Sequence, residues 1–173
     1  MVHITKPDPD EHLPYYGKYI ALVGDDAMSA LRAGGAGTPR LLSGVTEAQA
    51  MFRYQPGKWS VKEVLGHITD GERVFSYRAL RFAREDKTPI PGFDENTWVP
   101  AGRFDRHSLQ DLVGVYQAVR AATLALFGSF DDEALLRRGK ANDAEVSVRA
   151  LAHIIAGHEL HHVGLLRERY GLS

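Results

Sequence analysis

Half of the eight histidines in this chain fall in one segment near its C-terminus. Two of them, His158 and His162, are four residues apart, so on a helix both imidazoles project from one face, one turn apart. They continue an apolar stripe that also contains Leu151, Ile155 and Leu165. An imidazole that faces an apolar interior costs free energy unless its ring nitrogens find partners. A divalent metal is one such partner, so this pair is a candidate for metal binding.

A catalytic metal site commonly has three protein ligands and one open position. The candidate for the third ligand is His67, which lies on the inward face of an earlier helix, in line with Gly71 and Phe75. Gly71 follows one turn later and would leave room beside the His67 ring. The remaining histidines of the last helix, His153 and His161, lie off the centre of its apolar stripe, and we expect them to be solvated or at an interface.

The residues alone leave a second interpretation open. An inward histidine is usually a hydrogen-bonded core residue, and pairs at this spacing also arise by chance on histidine-rich helices. Asp70, Glu72 and Glu145 either assist the site, as outer partners or acid–base groups, or are simply solvated. No serine or carboxylate has a motif that identifies it as a general base, so the catalytic residues stay unassigned.

Four long segments with helical periodicity must position these residues, and nothing shows sustained strand alternation. The second segment is the clearest, because Ser60 and Glu63 form a capping box at its start. Candidate caps for the other three helices are Asp25 or Asp26, Ser108 and Ser147. Four helices of about 20 residues joined by loops form a bundle. We therefore predict an all-α four-helix bundle with short extra helices.

Three segments between or within these helices raise separate questions. Residues 87–107 contain three prolines and two glycines, which predicts a loop long enough to cross an end of the bundle. Residues 139–147 are also predicted as a loop. In the first long helix, the "GGAGTP" segment at residues 34–39 opposes a helix interior. Propensity favours a loop there, whereas packing could override it and leave a kinked helix.

Composition narrows the class of protein. The 173 residues are 44% hydrophobic and 25% charged, which is typical of one globular domain, here residues 1–173 with an extended N-terminal lead at 1–11. A formal net charge of −1 without a basic run argues against nucleic acid as a partner. The absence of cysteine excludes thiolate ligands and a cysteine nucleophile. No apolar stretch is long enough for a signal sequence or membrane span, so we expect a cytoplasmic protein and no membrane partner.

Three segments resemble the DinB/YfiT-like superfamily: "KWSVKEVLGHITDGERVFSYRALRFARED", "GFDENTWV" and "VSVRALAHIIAGHELHHVGLLRERY". The likeness covers roughly residues 8–171. The family pattern is a histidine in the second helix and H-x-x-x-H in the fourth, on a bundle of up-down-down-up order. His67 matches the first position, and His158 and His162 match the other two, so the resemblance implies these three as metal ligands. His153 stands where relatives often carry an aromatic residue.

The resemblance also implies a function and partners. The metal is zinc or nickel, although three histidines are also compatible with iron, cobalt or manganese. The activity is that of a metal-dependent hydrolase, or of an enzyme that uses a low-molecular-weight thiol, such as bacillithiol or mycothiol, on a small-molecule substrate. Many members are homodimers, for which the apolar residues Val148, Val163 and Leu166 would suit an interface. The alternative is a non-catalytic metal- or ligand-binding module, or a dimeric structural protein with a vestigial site.

Overall fold

The computed structural model describes residues 2–173, so Met1 of the predicted N-terminal lead lies outside it. Eight α-helices and one two-stranded antiparallel sheet make up its regular structure, together with short 3-10 turns. The helices are α1 (Gly17–Ile20), α2 (Ala27–Leu42), α3 (Glu47–Ala50), α4 (Val61–Ala83), α5 (Glu95–Gly102), α6 (Leu109–Gly128), α7 (Asp132–Leu136) and α8 (Val148–Tyr170). The strands are β1 (Arg138–Ala141) and β2 (Ala144–Ser147).

The four long helices begin where their caps predict. Asp26 accepts hydrogen bonds from the backbone amides of Met28 and Ser29, at 3.1 and 3.2 Å. Ser60 and Glu63 form the expected capping box of α4. The side chains of Ser108 and Ser147 cap α6 and α8 in the same way. The capping predictions are therefore confirmed, because each cap satisfies amides that have no partner inside the helix.

Two apolar clusters establish the direction of each helix. One contains the first half of α2, the second half of α4, the end of α6 and the first half of α8. The other contains the end of α2, the start of α4, the start of α6 and the end of α8. Hence α2 and α8 run one way and α4 and α6 run the other, which confirms the up-down-down-up bundle. The middle of the bundle, between the two apolar clusters, holds polar side chains.

Because α4 and α6 are parallel neighbours, the chain must return along the bundle between them. Residues 84–108 make this return, and they contain α5, so the prediction of a plain loop at 87–107 was wrong. Asp94 caps α5 by accepting from the amide of Asn96 at 2.9 Å, and Val99 is buried against the bundle. Capping and burial together stabilise this helix despite Pro100 near its end.

The predicted loop at residues 139–147 is a β-hairpin instead. Ala141 pairs with Ala144, and the two residues between them, Asn142 and Asp143, have positive φ angles of 51° and 62°. Asn and Asp tolerate this left-handed conformation, which a tight two-residue hairpin turn requires. Ile90 bonds to this hairpin through two 3.0 Å backbone hydrogen bonds. The hairpin tip and the segment before α5 are thereby fixed together on one side of the bundle.

Helix α2 continues through the glycine-rich segment, so packing overrides propensity there. A Cβ atom at Gly34 would lie 2.2 Å from Oε2 of Glu159 on α8. Thr38, one turn later, donates a hydrogen bond to Oε1 of the same carboxylate at 2.5 Å. Glycine is required here because a side chain would separate α2 from α8 and break this contact.

Replacing Gly34 with alanine is therefore expected to destabilise the protein by about 1–3 kcal/mol, despite the better helix propensity of alanine. The Glu159 carboxylate cannot move aside, since Thr38 and Arg120 hold it. The matched control is Gly37→Ala in the same helix, where a Cβ meets nothing within 4 Å. That control is expected to stabilise by about 0.5–1 kcal/mol. Urea unfolding of both variants measures the difference, and equal effects would contradict the packing argument.

The N-terminal lead packs against the start of α8. Ile4 is fully buried, and its amide donates to the Asp26 carboxylate at 2.9 Å. Glu11, in a 3-10 turn, accepts a 2.8 Å hydrogen bond from Arg149 of α8. Although burial acts to raise the pKa of Glu11, the hydrogen bonds from Arg149 and Ser147 lower it to about 2. The predicted lead is thus anchored along its described length.

Residues of α8 that were predicted to be exposed are buried, Leu166 by the starts of α4 and α6. Val148, His153 and Leu166 each have 0% exposure, so the predictions of a solvated or interfacial His153 and of an interface through Val148 and Leu166 were wrong. The lead, α1 and α7 cover faces of α8 that a plain four-helix bundle would leave to solvent. Within residues 2–173, none of the helices has both the length and the apolar character needed to cross a bilayer.

Candidate metal centre

The antiparallel packing of α4 on α8 brings the three predicted ligands together. Nε2 of His158 lies 2.9 Å from Nε2 of His67 and 3.1 Å from Nε2 of His162. One nitrogen of each ring lies within 4.8 Å of the others, and each side chain is less than a tenth exposed. Among the described residues, this histidine cluster (His67, His158 and His162) is the one group of at least three His or acidic side chains arranged to hold a metal ion.

The donor atoms fit a metal ion better than they fit each other. A ring nitrogen has one in-plane lone pair or one proton, so His158 Nε2 can make one ordinary hydrogen bond to an imidazole, not two. It nevertheless has two neighbouring imidazole nitrogens at 2.9 and 3.1 Å. Nitrogens bound to one ion at ~2.0–2.1 Å lie about 2.9–3.4 Å apart, depending on coordination geometry. The two distances at His158 lie in this range, and a shared cation would give His158 Nε2 one partner in place of two competing imidazoles.

Burial also favours the neutral, ligating form of the rings. It lowers the pKa of His67, and together with the neighbouring His162 and His67 it lowers the pKa of His158 well below its ordinary value. Burial and the adjacent His67 lower the pKa of His162 to about 3. Neutral imidazoles keep their lone pairs free for a metal at neutral pH.

Aromatic rings enclose the histidine cluster. Trp59 lies against His67, with ring centroids 4.8 Å apart, and Tyr19 lies edge-on to His158 at 5.5 Å. A Cβ at Gly71 would lie 3.2 Å from Cε1 of His158, so the room that this glycine leaves is occupied by His158 rather than lying beside His67. These contacts restrict the rotation of the rings.

A cavity of about 330 Å³ reaches the cluster from the side covered by the hairpin. Its lining includes His67 and His158, together with Arg78, Glu95 and Tyr16. A second cavity of about 280 Å³ lies beside His162. Helix α5 borders both, through Glu95 on one side and the neighbouring Asn96 on the other. The cluster is therefore buried yet accessible to a small molecule.

Comparison with known proteins agrees with this arrangement, since residues 30–166 match the DinB superfamily. The chain belongs to the DinB superfamily. It is similar in structure to YfiT from Bacillus subtilis, described as a probable metal-dependent hydrolase with an unusual four-helix bundle topology. That likeness has a TM-score of 0.75 at 20% identity and covers 97% of this chain and 94% of YfiT.

A second solved structure similar to this DinB superfamily protein is a mycothiol-dependent maleylpyruvate isomerase. Here the TM-score is 0.66 at 13% identity, and the likeness covers 79% of this chain but 58% of the isomerase. At these identities the two structures show a shared fold. No curated protein sequence matches this chain.

The other candidates from the sequence have different surroundings. Asp70 pairs with the exposed Arg73, and Glu145 is exposed. His161 is partly buried and packs on Tyr19, with ring centroids 5.4 Å apart, outside the histidine cluster. His153 is also outside it; its Nδ1 lies 3.2 Å from the carbonyl oxygen of Arg149.

Glu72, considered above as an outer partner or acid–base group, belongs to a buried charge network (Glu72, Arg120 and Glu159). Arg120 of α6 donates two hydrogen bonds to Glu72 of α4, at 2.8 and 2.9 Å, and one to Glu159 of α8 at 2.8 Å. All three side chains are at most 3% exposed. Burial acts to lower the pKa of Arg120, but the two carboxylates raise it above its ordinary value.

This network fixes the helices that carry the histidine cluster. Glu159 directly follows His158, and it also accepts hydrogen bonds from Tyr116 of α6 and Thr38 of α2. All four long helices are thus tied together one residue away from a candidate ligand. Sequence reasoning missed Arg120 as a structural residue, because a charged residue at one position of an amphipathic helix carries no signal of burial.

Proposed function

We propose that this DinB superfamily protein is a metal-dependent hydrolase of small molecules, with His67, His158 and His162 as ligands of a divalent cation, zinc or nickel. The observation that carries the proposal is the pair of short contacts at His158 Nε2, 2.9 and 3.1 Å, which two hydrogen bonds cannot both explain. The cavity at the cluster supplies access for a substrate.

A divalent cation held by three neutral imidazoles keeps its full charge and supplies Lewis acidity, which polarises a carbonyl group and lowers the pKa of water. The chain's own contribution to proton transfer is Glu95. It is partly buried, it lines the same cavity as His67 and His158, and its negative charge acts to raise the His67 pKa against the effect of burial. We assign Glu95 as the general base that accepts a proton from the attacking water.

Glu95 is also the reason to favour hydrolysis over thiol transfer. A base contributes more to hydrolysis than to thiol transfer, because water has the higher pKa and gives up its proton less readily than a thiol beside the same cation. The extent of the structural likeness supports the same choice, since it covers 94% of the probable hydrolase and 58% of the thiol-dependent isomerase.

The test combines a substrate panel with a Glu95→Gln variant. Zinc- and nickel-loaded protein is assayed against small amides and esters and, separately, against electrophiles with a low-molecular-weight thiol. We expect turnover of an amide or ester without thiol, and a fall in its kcat of about 10²–10⁴-fold in Glu95→Gln with unchanged metal affinity. The matched control is Glu168→Gln, an exposed carboxylate of α8, which should leave kcat unchanged.

Each other outcome of this panel contradicts the proposal in a different way. Activity that appears only with thiol would favour the S-transferase. Full activity of Glu95→Gln would remove Glu95 as the base. Metal binding without turnover of any substrate pair would favour a binding module, and a protein that binds no metal would favour a vestigial site.

Three expectations stay predictions: a single domain over residues 1–173, a homodimer and a cytoplasmic location. Of the apolar α8 residues suggested for an interface, Val163 is partly buried and the other two are fully buried. A homodimer would therefore use a different surface. Exposed apolar side chains are present elsewhere, Trp98 and Leu136 among them.

A further inference from the structure

Arg78 is a buried arginine without a carboxylate partner. Its side chain is 3% exposed, yet it forms no ion pair with any carboxylate of residues 2–173. Its Nη2 donates to the carbonyl oxygen of Pro91 at 3.0 Å, and its Nε is buried without a hydrogen-bond partner. The guanidinium lies between two aromatic rings, with Cζ 5.7 Å from the centroid of Phe75 and 6.0 Å from that of Phe93.

An unpaired buried charge is costly, and this one contrasts with the other fully buried arginine of the chain. Arg120 is 2% exposed and is neutralised by two carboxylates. Burial lowers the pKa of Arg78, although the nearby Tyr16 acts in the opposite direction. Proteins seldom bury an arginine unless a charged or strongly polar partner meets it. The absence of a carboxylate partner for the buried Arg78 guanidinium therefore needs an explanation.

The position of Arg78 indicates where that partner comes from. His67, Gly71, Phe75 and Arg78 follow one another on α4 at steps of four, four and three residues, so they share one face of the helix. Arg78 lines the same cavity as His67 and His158. Side chains on a helix lean toward its N-terminus, which directs Arg78 back toward His67.

The cavity provides the rest of a binding site. Its lining includes the aromatic side chains of Tyr16, Tyr19, Phe75 and Phe93, and the partly buried Glu95 lies toward the end where the histidines are. A ligand with a planar apolar body fits such walls, and its anionic end would meet the guanidinium. The lining of the cavity therefore contains two separate features: the cationic side chain of Arg78 and the histidine cluster. Each is available to bind a different end of one ligand.

We propose that Arg78 is the specificity residue of this cavity and binds the carboxylate of an apolar, preferably aromatic, small-molecule acid whose reacting group lies at the histidine cluster. The identity of the reacting group rests on the proposed function, but the binding of the carboxylate does not. A guanidinium and a carboxylate form paired, charge-assisted hydrogen bonds, for which the neutral amide of the same acid is a poor substitute.

The test measures binding to metal-free protein by calorimetry. The probes are phenylacetate and 3-phenylpropanoate, each compared with its neutral amide. We expect at least one carboxylate to bind ~10-fold or more tightly than its amide. In Arg78→Met this ratio should fall to about 1, whereas Arg78→Lys should retain part of it because it keeps the charge. The matched control is Arg73→Met, an exposed arginine of the same helix, which should keep the full ratio.

Thermal unfolding of the same variants separates binding from a structural role. If Arg78 serves the ligand, Arg78→Met should fold with a melting temperature equal to or above that of the unaltered protein, since an unpaired buried charge has been removed. Two results would overturn the proposal. One is a marked loss of stability in Arg78→Met while Arg78→Lys and Arg78→Met both keep the preference for the carboxylate. The other is that the unaltered protein binds acid and amide equally, or binds neither.

Zinc-loaded protein provides the last comparison, because a carboxylate could bind a metal directly. A preference for carboxylates that appears only with zinc and survives in Arg78→Met would assign the anion site to the metal and overturn the role of Arg78. A preference seen without zinc and lost in Arg78→Met supports it even if the hydrolase proposal fails.

Discussion

Replacing His158 with alanine is expected to lower the affinity for zinc by at least ~100-fold. Even removing an outer partner of a metal ligand commonly costs 10–100-fold, and His158 is the central donor of the proposed site, within 3.1 Å of the Nε2 atoms of both other histidines. Two remaining histidines cannot complete a three-ligand site. His67→Ala should have a similar effect from the other helix, since each ring supplies one of the three nitrogens. Zinc titration against a competing chelator measures both affinities.

The matched control is His161→Ala, which removes an adjacent imidazole of the same helix that lies outside the histidine cluster. Thermal unfolding gives an independent readout, because a ligand at 100 times its Kd stabilises the folded state by about 2.7 kcal/mol. Zinc should raise the melting temperature of the unaltered protein and of His161→Ala, but not of His158→Ala. Equal zinc affinity in all of these variants would show that the assignment of ligands is wrong.

Replacing Arg120 with methionine is expected to destabilise the protein by about 3–5 kcal/mol, the cost of breaking a buried ion pair by removing one partner. The substitution leaves Glu72 and Glu159 buried, with side chains at most 3% exposed, and removes the cation that they share. Methionine replaces the aliphatic stem of the arginine, so the loss comes mainly from the guanidinium charge and its hydrogen bonds. Urea unfolding with linear extrapolation measures it.

Two comparisons identify the cause of this loss. Arg78→Met removes an arginine that is similarly buried but has no carboxylate partner, and it should not destabilise the protein. In Arg120→Met, the two buried carboxylates lack their cation, so neutralising a carboxylate removes part of the cost of burying its charge. The deficit relative to the unaltered protein should therefore shrink as the pH is lowered from neutral. A deficit that is independent of pH would indicate lost packing instead.

The candidate site was largely predictable because helical periodicity converts spacing into direction. The four-residue interval between His158 and His162 places both rings on one face whatever the rest of the fold, and His67 lies on the inward stripe of its own helix. The helix caps were predictable for a similar reason, since each cap residue bonds to amides within three residues of itself: Asp26, Ser60, Ser108 and Ser147.

The residues that give the site its proposed chemistry were not predictable in this way. Glu95 lies on α5, in a segment for which propensity predicted a loop. The residues before α5 are fixed by Ile90, whose backbone bonds to the β-hairpin. The strands of that hairpin have four residues each, which is too short to show alternation in the sequence. Arg78 gave no signal in the sequence, because its lack of a carboxylate partner becomes visible only when every neighbouring carboxylate has been located.

The sequence by itself determined which face of α4 and of α8 carries the three clustered histidines, where the long helices begin, and which three histidines are able to meet. The tertiary structure decided what covers those faces: His153 is completely buried, and Glu159 of α8 requires Gly34 of α2 and finds Arg120 on α6. The physical reason is the separation along the chain over which each interaction acts. Caps and periodicity act over one or two turns, whereas burial and charge pairing join residues 39 to 125 positions apart, about which a local pattern carries no information.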